Sequence, residues 1–218
     1  MKERIFNYFL IILVIICIFI SYNITLVTNN QNENKIPENI LFLGDSITAQ
    51  YELDKYYSNT VYMVNSGFSG YSSEQLRKEL QEKAYRYNPS KVFLLIGTND
   101  IELKRDEQEI MGYIKDIIEG FKKYRKDSQI FIESIYPINN SNNDKIKHEV
   151  VGIRTNEKIK KVNNLIENYC KENDIYYINI YDKLLDEEGN LKIDYTKDGL
   201  HLSEKGYKKI TRILKKYI

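Results

Sequence analysis

Short apolar runs and amphipathic stretches alternate along the chain from about residue 39 to the C-terminus. The runs are almost entirely apolar, which is typical of strands that are covered on both faces. The predicted strands are Ile40–Leu43, Val61–Asn65, Val92–Ile96, Ile130–Glu133 and Tyr176–Ile180. The pattern therefore predicts a buried sheet assembled from these runs.

The stretches between the predicted strands carry apolar residues at helical spacing. Ser72 with Gln75, and Asp106 with Glu109, form the capping pattern that begins many helices. The predicted helices cover residues 72–87, about 106–121, about 156–173 and about 204 to the C-terminus. Since alternating strands and helices imply right-handed crossovers, we expect an α/β fold with a parallel sheet between two helical layers.

The N-terminal segment has a different pattern. Lys2 and Arg4 precede the run Phe9–Ile20, which is apolar apart from the thiol of Cys17. A basic start followed by an apolar run predicts a membrane anchor or signal segment, here over residues 1–27. Because small residues suited to cleavage are lacking, we favour an uncleaved anchor over a removed signal peptide. The first places the folded domain at the cell membrane outside the cytoplasm, and the second predicts secretion.

Two polar segments interrupt the pattern. Residues 28–38 are Asn-rich and end near a proline, a composition that cannot bury a core, so we interpret them as a linker before a domain at 39–218. Residues 138–155 show no clear period and are longer than most connections. This second segment fits either a lid that contacts substrate or a disordered insertion.

Composition argues against several functional classes. The 218 residues include 32 basic and 31 acidic ones, for a net charge of +1. The opposite charges are interleaved along helical stretches, which favours solvated faces over a nucleic-acid groove. Cys17 and Cys170 form no CxxC pattern, and cysteines and histidines do not cluster, so neither a redox site nor a metal site is predicted. The sequence leaves the oligomeric state open.

Polar segments that contain glycine follow the first three predicted strands, at the edge where open parallel sheets bind ligands. They are Gly44–Thr48, Asn65–Ser72 and Gly97–Asp100. Ser46 would lie near a helix start, where developing negative charge is favoured. The side chain of Asn99 could donate a hydrogen bond to an oxyanion. Each segment alone also fits an ordinary cap or turn.

A histidine with an acidic neighbour lies near the C-terminus. Asp198 precedes His201 by three residues, a spacing at which a carboxylate can reach the ring Nδ1–H. Such a contact fixes the tautomer and stabilises the imidazolium formed when histidine takes a proton from serine. The other histidine, His148, lies in the irregular segment without such a partner, and we interpret it as a surface residue.

Together these segments resemble the sequence blocks of the GDSL/SGNH hydrolases. The matching stretches are GDSIT (44–48), NSGFSG (65–70), GTND (97–100) and DGLHLSEKGY (198–207). The resemblance spans essentially the whole predicted domain and is specific because the blocks occur jointly. It implies a three-layer α/β/α sandwich with a five-stranded, flavodoxin-like parallel sheet, and ester hydrolysis through an acyl-enzyme without a cofactor.

The resemblance also implies a role for each matching residue. Ser46 is the expected nucleophile, His201 the base and Asp198 the acid that orients the base. The expected oxyanion donors are the Ser46 N–H, the Gly70 N–H and the Asn99 side chain.

The expected substrate is a small-molecule or glycan acyl ester, and the expected export of the domain favours O-acetylated glycans over lipids. Three alternatives stay open: a lipid acylhydrolase or lysophospholipase, an O-acyltransferase that uses the same serine, and a catalytically silent binding module. A flavodoxin-type cofactor domain is disfavoured because the chain has neither a GxxxxGK[ST] nor a GxGxxG stretch.

Overall fold

The computed structural model describes residues 14–23, 39–57 and 61–218. The chain divides into two units, Met1–Pro37 and Glu38–Ile218. In the first unit, residues 14–23 form a helix (α1) whose side chains are exposed. Among the described residues, no helix combines the length and the apolar character that a membrane crossing requires. The predicted linker at 28–38, and the predicted anchor apart from α1, lie outside the described residues.

Five parallel strands form one sheet in the order β2-β1-β3-β4-β5. The strands are β1 (Asn39–Gly44), β2 (Tyr62–Gly67), β3 (Lys91–Leu95), β4 (Gln129–Glu133) and β5 (Tyr176–Ile178). Each predicted strand is present, with ends shifted by a residue or two. Helices cover both faces, so the predicted α/β/α sandwich with a flavodoxin-like sheet is confirmed.

Three long helices and several short ones connect the strands. The long ones are α7 (Glu107–Tyr124), α9 (Asn156–Glu172) and α11 (Glu204–Leu214). The short ones are α2 (Ser46–Ala49), α3 (Leu53–Tyr56), α4 (Ser73–Lys78), α5 (Leu80–Lys83), α6 (Thr98–Glu102), α8 (His148–Val151) and α10 (Tyr181–Leu184), with 3-10 turns at Tyr85–Tyr87 and Ile193–Tyr195. Asp106 caps α7 as predicted, accepting from Glu109 N–H at 2.8 Å.

Alternate strand residues supply two separate cores. In β1, Leu41 and Leu43 pack in a cluster with residues of α4, α7 and α9, whereas Ile40 and Phe42 pack in a cluster with residues of α2 and α11. Successive side chains of a strand point to opposite faces, which explains this division and the nearly continuous apolar runs. Burial on both faces fixes the strand register and hence the positions of the segments that follow the strands.

A ladder of aromatic rings crosses the sheet on the α2–α11 face. Phe42, Phe93, Phe131 and Tyr176 are register partners on β1, β3, β4 and β5. Their rings stack with centroid separations of 5.0, 4.8 and 4.8 Å. Cross-strand aromatic pairs stabilise the register beyond the burial of their area.

The helix predicted over 72–87 is wrong as a single element, because the structure has α4, α5 and a 3-10 turn in its place. The Lys83 carbonyl accepts from Ser66 Oγ at 2.6 Å, and the Tyr85 carbonyl accepts from Arg125 Nε at 2.9 Å. These two carbonyls lie where α5 ends, and the chain continues there as a 3-10 turn; the interruption between α4 and α5 falls earlier, at Glu79. The last helix also stops at Leu214, earlier than predicted.

The segment 138–155 is ordered and packed against the domain, which rules out a disordered insertion. Ile138, Ile146 and Val151 are buried in a core cluster, and Arg154 is 5% exposed. His148 is exposed as predicted, with Nδ1 2.6 Å from Asn140 Oδ1. The segment therefore belongs to the folded body of the domain.

Candidate active site

The chemistry-bearing segments meet because β2, β1 and β3 lie side by side and run in the same direction. Two glycines allow close approach at this edge. A Cβ on Gly44 would lie 2.1 Å from the Leu95 carbonyl oxygen, and one on Gly67 would lie 2.1 Å from Ala49 N. Any larger residue would push these loops apart.

Ser46 begins α2 directly after β1. Its neighbour Asp45 caps the helix, accepting from Ile47 N–H at 2.9 Å. Ser46 is 8% exposed, and its N–H donates to no acceptor among the described residues. This leaves both the hydroxyl and the backbone N–H of Ser46 available at one point.

A hydrogen-bonded chain joins three side chains that come from opposite ends of the domain sequence. Ser46 Oγ lies 3.0 Å from His201 Nε2. His201 Nδ1 lies 2.8 Å from Asp198 Oδ2. With Nδ1–H donating to the carboxylate, Nε2 is the acceptor that faces the serine hydroxyl.

Asp198 is held as a carboxylate. Burial acts to raise its pKa, but the hydrogen bonds from the His201 N–H and ring and from the Leu200 N–H outweigh burial and leave the pKa below its usual value. The Asp198 Oδ1 atom accepts from His201 N–H at 2.7 Å and from Leu200 N–H at 3.0 Å. One carboxylate oxygen therefore shapes the loop and the other orients the imidazole.

The loop that carries Asp198 and His201 is braced from several directions. Thr196 Oγ1 accepts from Gly199 N–H at 2.7 Å and donates to the His201 carbonyl at 2.9 Å. Tyr207, in α11, donates to the Ile47 carbonyl at 2.7 Å. This last bond ties the C-terminal block directly to the helix of Ser46.

Gly70 and Asn99, the two residues expected to complete the oxyanion donors, lie after β2 and at the start of α6. Gly70 has φ +81°, and a Cβ built there would meet nothing within 4 Å, so its backbone borders open space. The Asn99 Nδ2 donates to the Tyr71 carbonyl at 2.9 Å, and its Oδ1 accepts from an Arg154 guanidinium N–H at 2.9 Å. The amide group of Asn99 is thus held at both ends.

A buried carboxylate ties the loop after β2 to the loop after β3. Asp100 is fully buried and accepts from Ser73 N–H at 2.8 Å and Ser73 Oγ at 2.7 Å. Arg105 compensates its charge, with Nη1 at 2.6 Å from Asp100 Oδ1. The segment containing Gly70 is therefore held beside Asn99 through the next residue in sequence.

Two other carboxyl groups near the site have raised pKa values. Burial raises the pKa of Asp45 to about 7, although the Ile47 N–H and the charge of Arg154 act in the other direction. Burial likewise raises the pKa of Glu133, at the end of β4, to about 7, and the hydrogen bond from the Tyr136 hydroxyl opposes this. Both groups gain a proton near neutral pH.

The sequence pointed to the three residues of the hydrogen-bonded chain and to Gly70 and Asn99, but not to the residues that hold Asn99 and the segment of Gly70 in place. Asp100 was visible within the GTND stretch, and Ser73 follows the capping residue Ser72, yet nothing in the sequence pairs them. Arg154 lies in the aperiodic segment 138–155 and carries no local signal.

A serine, an imidazole and a carboxylate in series, at the edge of an α/β sheet, define the class of serine hydrolases. Residues 42–209 match the family model described as GDSL-like Lipase/Acylhydrolase family. The chain belongs to this family.

Solved structures share the fold. A platelet activating factor candidate from Streptococcus pneumonia is 30% identical, with a TM-score of 0.75, covering 90% of this chain and 98% of that one. A GDSL-like lipase from Bacteroides thetaiotaomicron VPI-5482 is 24% identical, with a TM-score of 0.71 and coverages of 83% and 87%. An acetyl xylan esterase is 19% identical, with a TM-score of 0.65 and coverages of 83% and 99%.

Among curated proteins, the chain is 25% identical over 185 residues to an N-acylneuraminate cytidylyltransferase of Escherichia coli O18:K1:H7. The match covers 83% of this chain and 40% of that protein. The chain therefore spans less than half the length of this curated relative.

Proposed function

We propose that this protein hydrolyses acyl esters with Ser46 as nucleophile, His201 as general base and Asp198 as the residue that orients the base. The observation that carries the proposal is the continuous hydrogen-bonded chain, with 3.0 Å from Ser46 Oγ to His201 Nε2 and 2.8 Å from His201 Nδ1 to Asp198 Oδ2. Activation of a serine hydroxyl by an oriented imidazole requires this geometry.

The reaction proceeds in two steps. Ser46 Oγ attacks the ester carbonyl carbon while His201 Nε2 takes the hydroxyl proton, and the carbonyl oxygen becomes an oxyanion. The bond to the alcohol oxygen then breaks, and His201 gives its proton to that oxygen. Water attacks the acyl-serine with His201 again acting as base, which releases the carboxylic acid and returns the proton to Ser46.

The oxyanion receives hydrogen bonds from the Ser46 N–H, the Gly70 N–H and the Asn99 side chain. Neither backbone N–H has an acceptor among the described residues, and Asn99 Nδ2 retains one hydrogen beyond its bond to Tyr71. Donors that are already aimed at the developing charge stabilise the transition state without reorganisation.

The proposed substrate is a short acyl ester, above all an acetyl ester, of a hydroxylated glycan. A cavity of about 520 Å³ opens beside Gly70 and Asn99, and charged side chains, including Glu102 and Arg105, line it. Glu102 and Arg105 can exchange hydrogen bonds with the hydroxyl groups of a sugar at this cavity. An acetyl xylan esterase shares the fold, and the curated relatives are named for a sugar acid, N-acylneuraminate.

The proposed location is the outer side of the cell membrane, with secretion as the alternative. Support comes from the sequence alone: Lys2 and Arg4 precede the apolar run Phe9–Ile20.

The test of the substrate proposal is a turnover screen with the full chain and a Ser46→Ala control. The substrates are acetyl, butyryl and octanoyl p-nitrophenyl esters, acetylated xylan, acetylated peptidoglycan and O-acetylated N-acylneuraminate. We expect acetyl esters to be cleaved fastest and at least one acetylated sugar to release acetate. Faster cleavage of the octanoyl ester than of the acetyl ester would contradict the proposal. Transfer of the acyl group to added glycan in preference to water would identify an acyltransferase.

A further inference from the structure

Arg154 is an almost fully buried cation next to the candidate oxyanion donor. It is 5% exposed and precedes α9 by two residues, at the end of the segment 138–155. Its guanidinium donates to the Asn99 Oδ1 at 2.9 Å and to Glu102 Oε2 at 3.0 Å. It also donates to the Thr98 carbonyl at 3.0 Å. All three contacts lie on α6, the helix that contains Asn99.

The guanidinium decides which way the Asn99 amide points. Arginine has only donors, so the atom of Asn99 that faces Arg154 must be the carbonyl oxygen. The NH₂ group then points the other way, where one hydrogen is bonded to the Tyr71 carbonyl at 2.9 Å. The second hydrogen is left to face a ligand. Without Arg154, the bond to the Tyr71 carbonyl alone would hold the amide in this orientation.

We propose that Arg154 is a positioning residue for the reaction: it fixes the Asn99 side chain as an oxyanion donor and polarises its amide. A positive charge on the carbonyl side of an amide draws electron density from nitrogen and strengthens the N–H donors. Arg154 acts through Asn99 and does not contact the reacting ester. The inference rests on the proposed mechanism, in which Asn99 stabilises the oxyanion.

Through Arg154, the segment 138–155 also takes part in positioning the candidate site. Lys147 N–H donates to the Asp198 carbonyl at 2.9 Å, and Asn139 N–H donates to the Gly199 carbonyl at 2.8 Å. Through these bonds and Arg154, one segment touches both the loop of the orienting acid and the oxyanion donor. Glu102 Oε2 holds the end of the segment by accepting from Ile153 N–H at 3.0 Å.

A purely structural role is the competing interpretation, because Arg154 also satisfies the carbonyls of Val150 and Val151. Loss of those bonds would destabilise the protein without acting through Asn99. The two interpretations differ in a double-mutant cycle, since a residue that acts through Asn99 has little left to lose once Asn99 is gone.

The experiment measures kcat and KM for p-nitrophenyl acetate in the wild type, Arg154→Leu, Asn99→Ala and the double variant. We expect Arg154→Leu to lower kcat by about 10- to 100-fold, a part of the ~10²–10³ typical for a lost oxyanion donor. KM should change by less than about threefold. In the Asn99→Ala background the same substitution should lower kcat by less than about threefold. Arg154→Lys, which keeps the charge but loses the planar fork, should recover part of the activity.

Arg125→Leu is the matched control, because Arg125 also donates to a backbone carbonyl, that of Tyr85, but precedes β4 at the opposite edge of the sheet. We expect it to lower Tm and leave kcat within about twofold. Equal loss of kcat from Arg154→Leu in both backgrounds would overturn the inference. If Arg154→Leu does not fold, Arg154→Lys carries the same cycle with the same criterion. Full activity of Ser46→Ala would instead refute the proposed function.

Discussion

The two sides of the candidate site are built differently. The side proposed to activate the serine uses Asp198 and His201, three residues apart on one loop, and a contact to Ser46. The side that would stabilise the oxyanion collects Gly70, Asn99 and Arg154 from three separate segments. Only the Asp198–His201 pair is encoded locally, whereas the contact to Ser46 and the whole second side depend on the tertiary fold. We therefore expect substitutions on the two sides to lower activity to different extents.

On the side of Asp198 and His201, we expect a small chemical change to cause a large loss of activity, because the polar atoms there make specific hydrogen bonds. Asp198 uses one carboxylate oxygen for backbone N–H groups and the other for the ring. On the proposed oxyanion side, several residues share the positioning of the donors. Asp100, Ser73 and Arg154 hold them without reaching the reacting atoms. Partial losses of activity are the expected result there.

The largest effect is expected from Ser46→Ala, which removes the nucleophile. Activity on p-nitrophenyl acetate should fall by about 10⁴–10⁶ with an unchanged Tm. Ser141→Ala, in the segment 138–155, serves as the control and should retain turnover. Wild-type turnover by Ser46→Ala would refute the role of this serine.

Asp198→Asn should follow, with a loss of kcat of about 10³–10⁴. An amide at this position can donate to Nδ1 and so favour the tautomer whose Nε2 carries the proton, which cannot accept from Ser46. Steady-state kinetics at pH 7–8 measure the loss. A variant within tenfold of wild type would show that the His201 tautomer does not depend on Asp198.

Asn99→Ala should lower kcat by about 10²–10³, because one of three oxyanion donors is removed. KM for p-nitrophenyl acetate should change little, since the donor acts mainly in the transition state. A rise in KM with unchanged kcat would place Asn99 in substrate binding instead.

The smallest effect concerns stability and pH. Asp45 has a folded-state pKa of about 7, above the ordinary value of 3.8, so its contribution to stability is full at low pH and is lost as pH rises through 7. Asp45→Asn keeps an acceptor for the Ile47 N–H and cannot ionise. At pH 8 we expect it to be more stable than wild type by roughly 4 kcal/mol, or ~8–16 °C in Tm, and most of the gain should be lost near pH 4.

Thermal melts of both proteins from pH 4 to pH 9 measure this difference. Glu133→Gln is the natural comparison, because burial raises the pKa of Glu133 to about 7 as well. A gain in Tm for Asp45→Asn that is equal at pH 4 and pH 8 would contradict the pKa argument.

The same contrast explains what the sequence could predict. The strands, the cap at Asp106 and the Asp198–His201 pair depend on neighbours within a few positions, and the structure contains them. The end of α5 could not be predicted, because the carbonyls of Lys83 and Tyr85 are bonded to the distant side chains of Ser66 and Arg125. Arg154 could not be predicted either, since its contacts with α6 lie more than fifty positions away and its segment has no period.

The most direct test of the central claim is the site of covalent labelling. The full chain is incubated with a fluorophosphonate, and intact mass and peptide mapping locate the adduct. If Ser46 is the nucleophile, we expect one adduct per chain on Ser46, none in Ser46→Ala, and slower labelling in Asp198→Asn. An adduct on another residue, or none in a preparation that hydrolyses p-nitrophenyl acetate, would contradict this expectation.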